Sequence, residues 1–207
     1  VVAWFGSVTG KGSSPNSRLA WAVIWGTIPV GLFGLFLETF DIVDNYLRSI
    51  PVIAATTIIF GLLLGYAETQ YNGKKRRDFK NEYDLRLRDV FAIGMAQALA
   101  LIPGTSRSGI TMTAGRLLGL ERRETARFSL LLSIPVILGA GALKGWELDR
   151  AGDPQLTSDA LLAAGMAFAA AFVAIAAMMA WLRRATFTPF VVYRVCLGAF
   201  MLAVIYD

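Results

Sequence analysis

The sequence predicts an all-α integral membrane protein: an inverted-repeat bundle of transmembrane helices carrying a re-entrant helical hairpin. Three observations predict it. The 207 residues are 56% hydrophobic and only 17% charged, with a mean hydropathy of +0.55, whereas soluble domains carry about 25% charged residues. Five apolar runs approach or exceed the roughly 20 residues that cross a bilayer. Between the second and third lies a region of another kind, two half-length arms around a Gly- and Ser-rich break.

In chain order, residues 1–8 read as the tail of a span, and with Val at position 1 the chain is expected to lack an N-terminal part. The runs 19–37 and 50–66 carry no charge, 128–143 is short but clean, 160–182 is the longest, and 190–206 contains one charge, Arg194. Pro29 and Pro135 fall inside helices and are expected to kink them, which neighbouring helices tolerate. In 89–120 the uncharged arm 90–102 is too short to cross at about 1.5 Å per residue. The second arm, 110–120, is interrupted by Arg116. This pattern predicts a hairpin that dips in and returns to the same side. Non-helical backbone at that depth is tolerated only where protein buries it or it lines a cavity.

Charge sorting supports the layout. With the loop holding Lys74, Lys75, Arg76, Arg77, Lys80, Arg86 and Arg88 in the cytoplasm, Lys11, Arg18, Arg122, Arg123, Arg127, Arg183 and Arg184 fall there too. That places fourteen of the twenty basic residues on one side, as the positive-inside rule requires. Arg48, Lys144 and Arg150 face the other side, together with most of the acidic residues. A single crossing by 89–120 would swap the later loops and destroy the sorting. The chain then reads as one transmembrane domain, 1–88 forming the C-terminal part of a first repeat and 89–207 a second, in the inverted arrangement.

Several chemistries are excluded. There is no histidine, hence neither the commonest general base nor the commonest transition-metal ligand. The single cysteine, Cys196, offers no disulfide or metal cluster and sits in an apolar run as a small packing residue. The net charge of +5 comes from loops between apolar runs and not from a basic face, so no nucleic-acid partner is expected.

The chemistry concentrates in Pro103-Gly104-Thr105-Ser106-Arg107-Ser108-Gly109, with Thr111 beyond it. Glycines let backbone N–H groups turn inward, hydroxyls add donors, and Arg offers a planar fork matched to phosphate oxygens. A helix resuming at Ile110 adds its N-terminal N–H groups and dipole. Arg107 is read as a phosphate clamp that also stabilises charge in phosphoryl transfer. Ser106, Ser108 and Thr111 either donate to phosphate or cap the helix, and one serine could instead be a nucleophile, although no base for it is evident. Gln97 either bonds the loop backbone or assists the ligand. Arg194 is expected to reach the cytoplasmic interface in a packing role, and Glu68 and Arg116 to be interfacial or paired.

The stretch from Gln97 through Pro103-Gly104-Thr105-Ser106-Arg107-Ser108-Gly109-Ile110-Thr111 resembles the second signature of the undecaprenyl-diphosphate phosphatases, the bacitracin-resistance family. Gly115-Arg116-Leu117-Leu118-Gly119-Leu120, Ala126-Arg127-Phe128-Ser129, Ser133-Ile134-Pro135, Thr27-Ile28-Pro29 and Tyr193-Arg194 look like the same family. The resemblance implies a multi-pass enzyme of the bacterial inner membrane that hydrolyses undecaprenyl diphosphate to undecaprenyl phosphate and inorganic phosphate, recycling the lipid carrier for peptidoglycan synthesis. It makes Arg107 and Ser106 the catalytic candidates and Gly104, Thr105, Ser108, Gly109, Thr111 and Gln97 the substrate-binding ones. A divalent cation, Mg²⁺ or Ca²⁺, is the implied cofactor. The family's first signature, Glu-x-x-x-Glu followed by Ser-Ser-Thr-Gly-His, has no match here, so the metal ligands are expected in a preceding segment and these 207 residues alone are expected to be inactive. The expected partners are a polyprenyl diphosphate lipid, the bilayer and a second copy of the chain. The competing class is an inverted-repeat transporter or flippase of a lipid phosphate or anion; a structural subunit is the third.

Overall fold

The computed structural model describes residues 15–41, 43–70 and 79–206. The span end expected at 1–8 and the basic residues Lys11, Lys74, Lys75, Arg76 and Arg77 lie outside them. Among the described residues the regular elements are helical. They are α1 (Pro15–Thr39), α2 (Ile50–Thr69), α3 (Leu87–Ala98), α4 (Arg107–Leu117), α5 (Arg122–Ala151), α6 (Pro154–Trp181) and α7 (Thr188–Tyr206). One-turn 3₁₀ helices precede α3 (Glu82–Asp84) and follow it (Leu99–Leu101).

Five helices, α1, α2, α5, α6 and α7, are long and apolar enough to cross a membrane. They coincide with the five expected runs but extend past them. The largest extension is α5, 30 residues against the expected 128–143, because the charged flanks around Arg122 and Glu147 continue the helix after its apolar stretch ends. Backbone hydrogen bonding does not stop where hydrophobicity does. Gly152 at φ +64°, Asp153 accepting from the N–H groups of Gln155 (2.9 Å) and Leu156 (3.2 Å), and Pro154 then close α5 and start α6.

The chain forms two compact units. One holds the described residues up to Leu132 together with those from Thr186 onward; the other is Ser133–Ala185. In the second unit none of the α6 span is buried, and Leu161, Leu162, Phe168 and Phe172 all face outward. That would be untenable in water but carries no penalty in hydrocarbon.

The first unit packs through small residues. α1 and α3 cross at glycines: a Cβ on Gly94 would lie 2.5 Å from the Gly26 carbonyl oxygen. α2 and α7 meet where Gly61 and Gly65, four apart, face Arg194 and Val191, and where Gly198 faces Ile58 and the Ala54 carbonyl. Leu19, Val23, Leu85, Val90, Ile93, Leu120, Phe128 and Leu132 complete a small core. Cys196 is exposed on α7, so it is not the packing residue expected.

Between α2 and α5 the two short helices α3 and α4 turn back on each other. The Lys80 N–H donates to the Gly119 carbonyl (2.9 Å) and the Glu121 N–H to the Lys80 carbonyl (3.0 Å). Gly119, at φ +92°, makes that return possible. The segment therefore begins and ends at one closed base, and neither 12-residue α3 nor 11-residue α4 has the length of a membrane span.

Candidate active site

The tip of this hairpin, from Pro103 to Ser106, lies against the N-terminal half of α2. The Thr56 hydroxyl reaches the Pro103 carbonyl (2.7 Å) and the Thr57 hydroxyl the Gly104 carbonyl (3.2 Å). Thr56 also lies 2.8 Å from the Val52 carbonyl, so one proton serves competing acceptors. Arg194 of α7 completes the cradle from the other side, its Nη2 donating to the carbonyls of Gly104 and Thr105 (2.8 Å each) and its Nε to that of Thr57 (3.3 Å). The expectation that Arg194 reaches the interface is corrected: it is buried, because Gly61 leaves room for its stem to turn inward.

Two backbone conformations shape the turn. Gly104 sits at φ +89°, and a Cβ there would run into the Thr56 hydroxyl and the Ile53 carbonyl. Ser106 caps α4 at φ +67°, ψ +111°, a region that costs a non-glycine residue about 1–3 kcal/mol. Its hydroxyl accepts from the Gly109 N–H at 3.3 Å. Strain of this kind clusters at functional sites because the surroundings must over-determine it.

The sequence candidates fall into two groups around the tip. Ser106 and Ser108 are exposed and Arg107 is half-buried, with no ion pair or side-chain hydrogen bond on Arg107 among the described residues. The N–H groups of Arg107 and Ser108 likewise meet no acceptor there, as expected of a helix's first turn. Thr105, Gly109, Thr111 and Gln97 are buried and Gly104 is half-buried. Thr111 is buried with its hydroxyl beside the carbonyls of Arg107 (2.9 Å) and Ser108 (3.2 Å) and 2.6 Å from the Ser129 hydroxyl of α5, so it braces the first turn of α4. Thr105 is fully buried, its hydroxyl without a partner. Gln97 is also fully buried, and both its amide atoms lack partners, so the expected bond to the loop backbone is not made.

The opposite end of the hairpin is built from ion pairs. Buried Glu68, near the end of α2, pairs with Arg116 (3.1 Å) and with Arg122, and Arg116 also donates to the Leu120 carbonyl (2.7 Å). Arg127 lies 2.7 Å from the buried Glu82 carboxylate and Lys80 3.8 Å from Asp89. Eleven residues of α2 separate Thr57 from Glu68, roughly 16 Å of helix. That is about half the ~30 Å thickness of a hydrocarbon core.

The tip offers donors to an anion: a guanidinium, free N–H groups and hydroxyls. It does not fit a divalent cation, which wants carboxylate or carbonyl oxygens. Among the described residues no carboxylate bonds to 103–109 and no group of three or more acidic, Cys or His residues gathers anywhere. Thr56, Thr57 and Arg194 were the residues that sequence reasoning did not place at the site. Their signal was present, as two hydroxyls and one charge inside runs otherwise apolar.

Fold and tip together define a polytopic helical membrane protein whose broken hairpin gathers hydrogen-bond donors at its tip. The chain belongs to the family of bacitracin resistance protein BacA, whose family model matches residues 1–200. It is similar to the undecaprenyl-diphosphatase of Jannaschia sp. (strain CCS1), 45% identical over 199 residues, covering 96% of this chain and 72% of that protein. The undecaprenyl-diphosphatases of Chromohalobacter salexigens (47% over 199 residues, 96% and 72%) and Hahella chejuensis (47% over 204 residues, 98% and 73%) are comparably similar.

Proposed function

We propose that the protein is a membrane phosphatase that hydrolyses undecaprenyl diphosphate to undecaprenyl phosphate and inorganic phosphate. The observation that carries this reading is 45–47% identity to undecaprenyl-diphosphatases over at least 96% of the chain. The donor-rich tip supplies the matching chemistry. Phosphoryl transfer asks the protein mainly to position the group and stabilise its charge. Arg107 grips the terminal phosphate with its fork, while the free N–H groups of Arg107 and Ser108 and the hydroxyls of Ser106 and Ser108 receive its remaining oxygens. Thr111, tied to Ser129, holds the turn in place, and the buried amide of Gln97 is a further polar group for the ligand. In the net reaction the bond between the bridging oxygen and the terminal phosphorus breaks and an oxygen from water takes its place. The bridging oxygen leaves with the lipid monophosphate, inorganic phosphate forms and the water's proton is released.

In this reading the hairpin is re-entrant, its base lies at the cytoplasmic face, and 1–88 and 89–207 are inverted repeats. The protein works in the bacterial inner membrane, with a second copy of the chain as a partner. A Mg²⁺ or Ca²⁺ requirement belongs to the proposal, but no step is assigned to the ion because the residues at the tip do not fit one. A chelator should abolish turnover and excess cation restore it.

The test uses the full-length protein in proteoliposomes holding undecaprenyl diphosphate. Inorganic phosphate should appear without an anion gradient, and Arg107→Ala should slow it on the order of 10²–10³-fold, the cost of losing one donor to a developing oxyanion. Movement of intact lipid across the bilayer without phosphate release would favour the transporter reading.

A further inference from the structure

Arg194 is the only charge in α7, and it has no carboxylate partner among the described residues. A buried cation is costly unless its donors are used. Two corners of this guanidinium are used, on the carbonyls of Gly104, Thr105 and Thr57. The third, Nη1, is buried and unpartnered, 2.7 Å from where a Cβ would stand on Gly109. A Cβ at 109 would have to displace it.

These bonds fix more than position. In a planar trans peptide the carbonyl and the following N–H point in opposite directions, and no cis bond occurs among the described residues. With the Thr105 carbonyl drawn onto Arg194, the Ser106 N–H must point away from it. No acceptor meets that N–H among the described residues. It therefore joins the amides of Arg107 and Ser108 as a free donor, and the carbonyl that would repel an anion is turned to the far side. The same pull maintains Ser106 at its positive φ.

We propose that Arg194 is a positioning residue: by gathering the Gly104 and Thr105 carbonyls it orients the Ser106–Ser108 donor row toward the phosphate. Its kinetic consequence rests on the phosphatase reading above; its structural consequence does not. The experiment therefore reads both, in the full-length protein with Cys196 replaced by Ser. A nitroxide on Ser108→Cys reports loop mobility by electron paramagnetic resonance, and unlabelled enzyme carrying native Ser108 reports kinetics. Arg194→Gln should add a mobile spectral component and lower kcat on the order of ten- to hundredfold, the scale of a small misplacement, with KM within about threefold. Should Arg194→Gln not fold, Gly109→Ala crowds Nη1 and should loosen the same spectrum. An unchanged line shape in a folded variant overturns the proposal. So does an altered KM with wild-type kcat, which would put Arg194 on the substrate itself. A loosened tip in a protein whose parent releases no phosphate would leave the positioning role standing and remove the phosphatase reading.

Discussion

The two ends of one hairpin treat arginine in opposite ways. At the base, Arg116, Arg122 and Arg127 each sit on a carboxylate, from Glu68 or Glu82. At the tip, Arg107 has no such partner among the described residues and Arg194 is shared among carbonyls. The base spends its charges on one another, where α2, α4, α5 and the Glu82–Asp84 turn converge. The tip keeps cationic and N–H donor capacity in reserve about half a bilayer away. Donors left open in this way are what the proposed phosphate site requires. Pairing state, more than the presence of an arginine, separates the base from the tip proposed to bind phosphate.

The largest effect that sharpens this contrast is at the base. Glu68→Ala removes the carboxylate that pairs at 3.1 Å with Arg116, which is only 1% exposed. Removing one partner of a buried pair costs about 3–5 kcal/mol, so thermal unfolding in detergent should move down by several degrees or more. The Arg107→Ala protein, by contrast, should unfold with the wild type while its turnover collapses. If Glu68→Ala lowers turnover without lowering stability, the division between the two ends fails.

The smallest effect tests how the tip is held. Thr57→Val removes one hydroxyl bond to the Gly104 carbonyl, which Arg194 still occupies. Side-chain hydrogen bonds in membrane proteins average about 0.6 kcal/mol, so stability should barely move and kcat should fall by no more than about threefold. A much larger loss would transfer the clamp from Arg194 to the threonines.

Much of this was legible in the residues. The five spans followed from apolar length, and the hairpin from two arms too short to cross around Pro103 and Gly104. The cluster of donors at the tip, Ser106, Arg107 and Ser108, was visible as polar residues in an otherwise uncharged stretch. The cradle was harder to see. Thr56 and Thr57 are inconspicuous because threonines in apolar helices commonly satisfy themselves on the preceding turn, as Thr56 also does on Val52. Arg194 was misplaced because its direction depends on Gly61 and Gly109, glycines on two other helices that no local pattern links to it. The length of α5 escaped for the converse reason, since hydropathy marks the bilayer's edges and leaves the helix's ends unmarked. Local chemistry was readable; long-range clearances were not.

Arginine-directed labelling tests the central contrast most directly. The full-length protein, in detergent, is treated with a vicinal dicarbonyl and each arginine is read by mass spectrometry, with and without a saturating polyprenyl diphosphate. Half-exposed, unpaired Arg107 should label readily and be protected by the lipid, while Arg116, buried against Glu68, should resist labelling in both conditions. Equal labelling of Arg107 with and without the diphosphate would contradict the account.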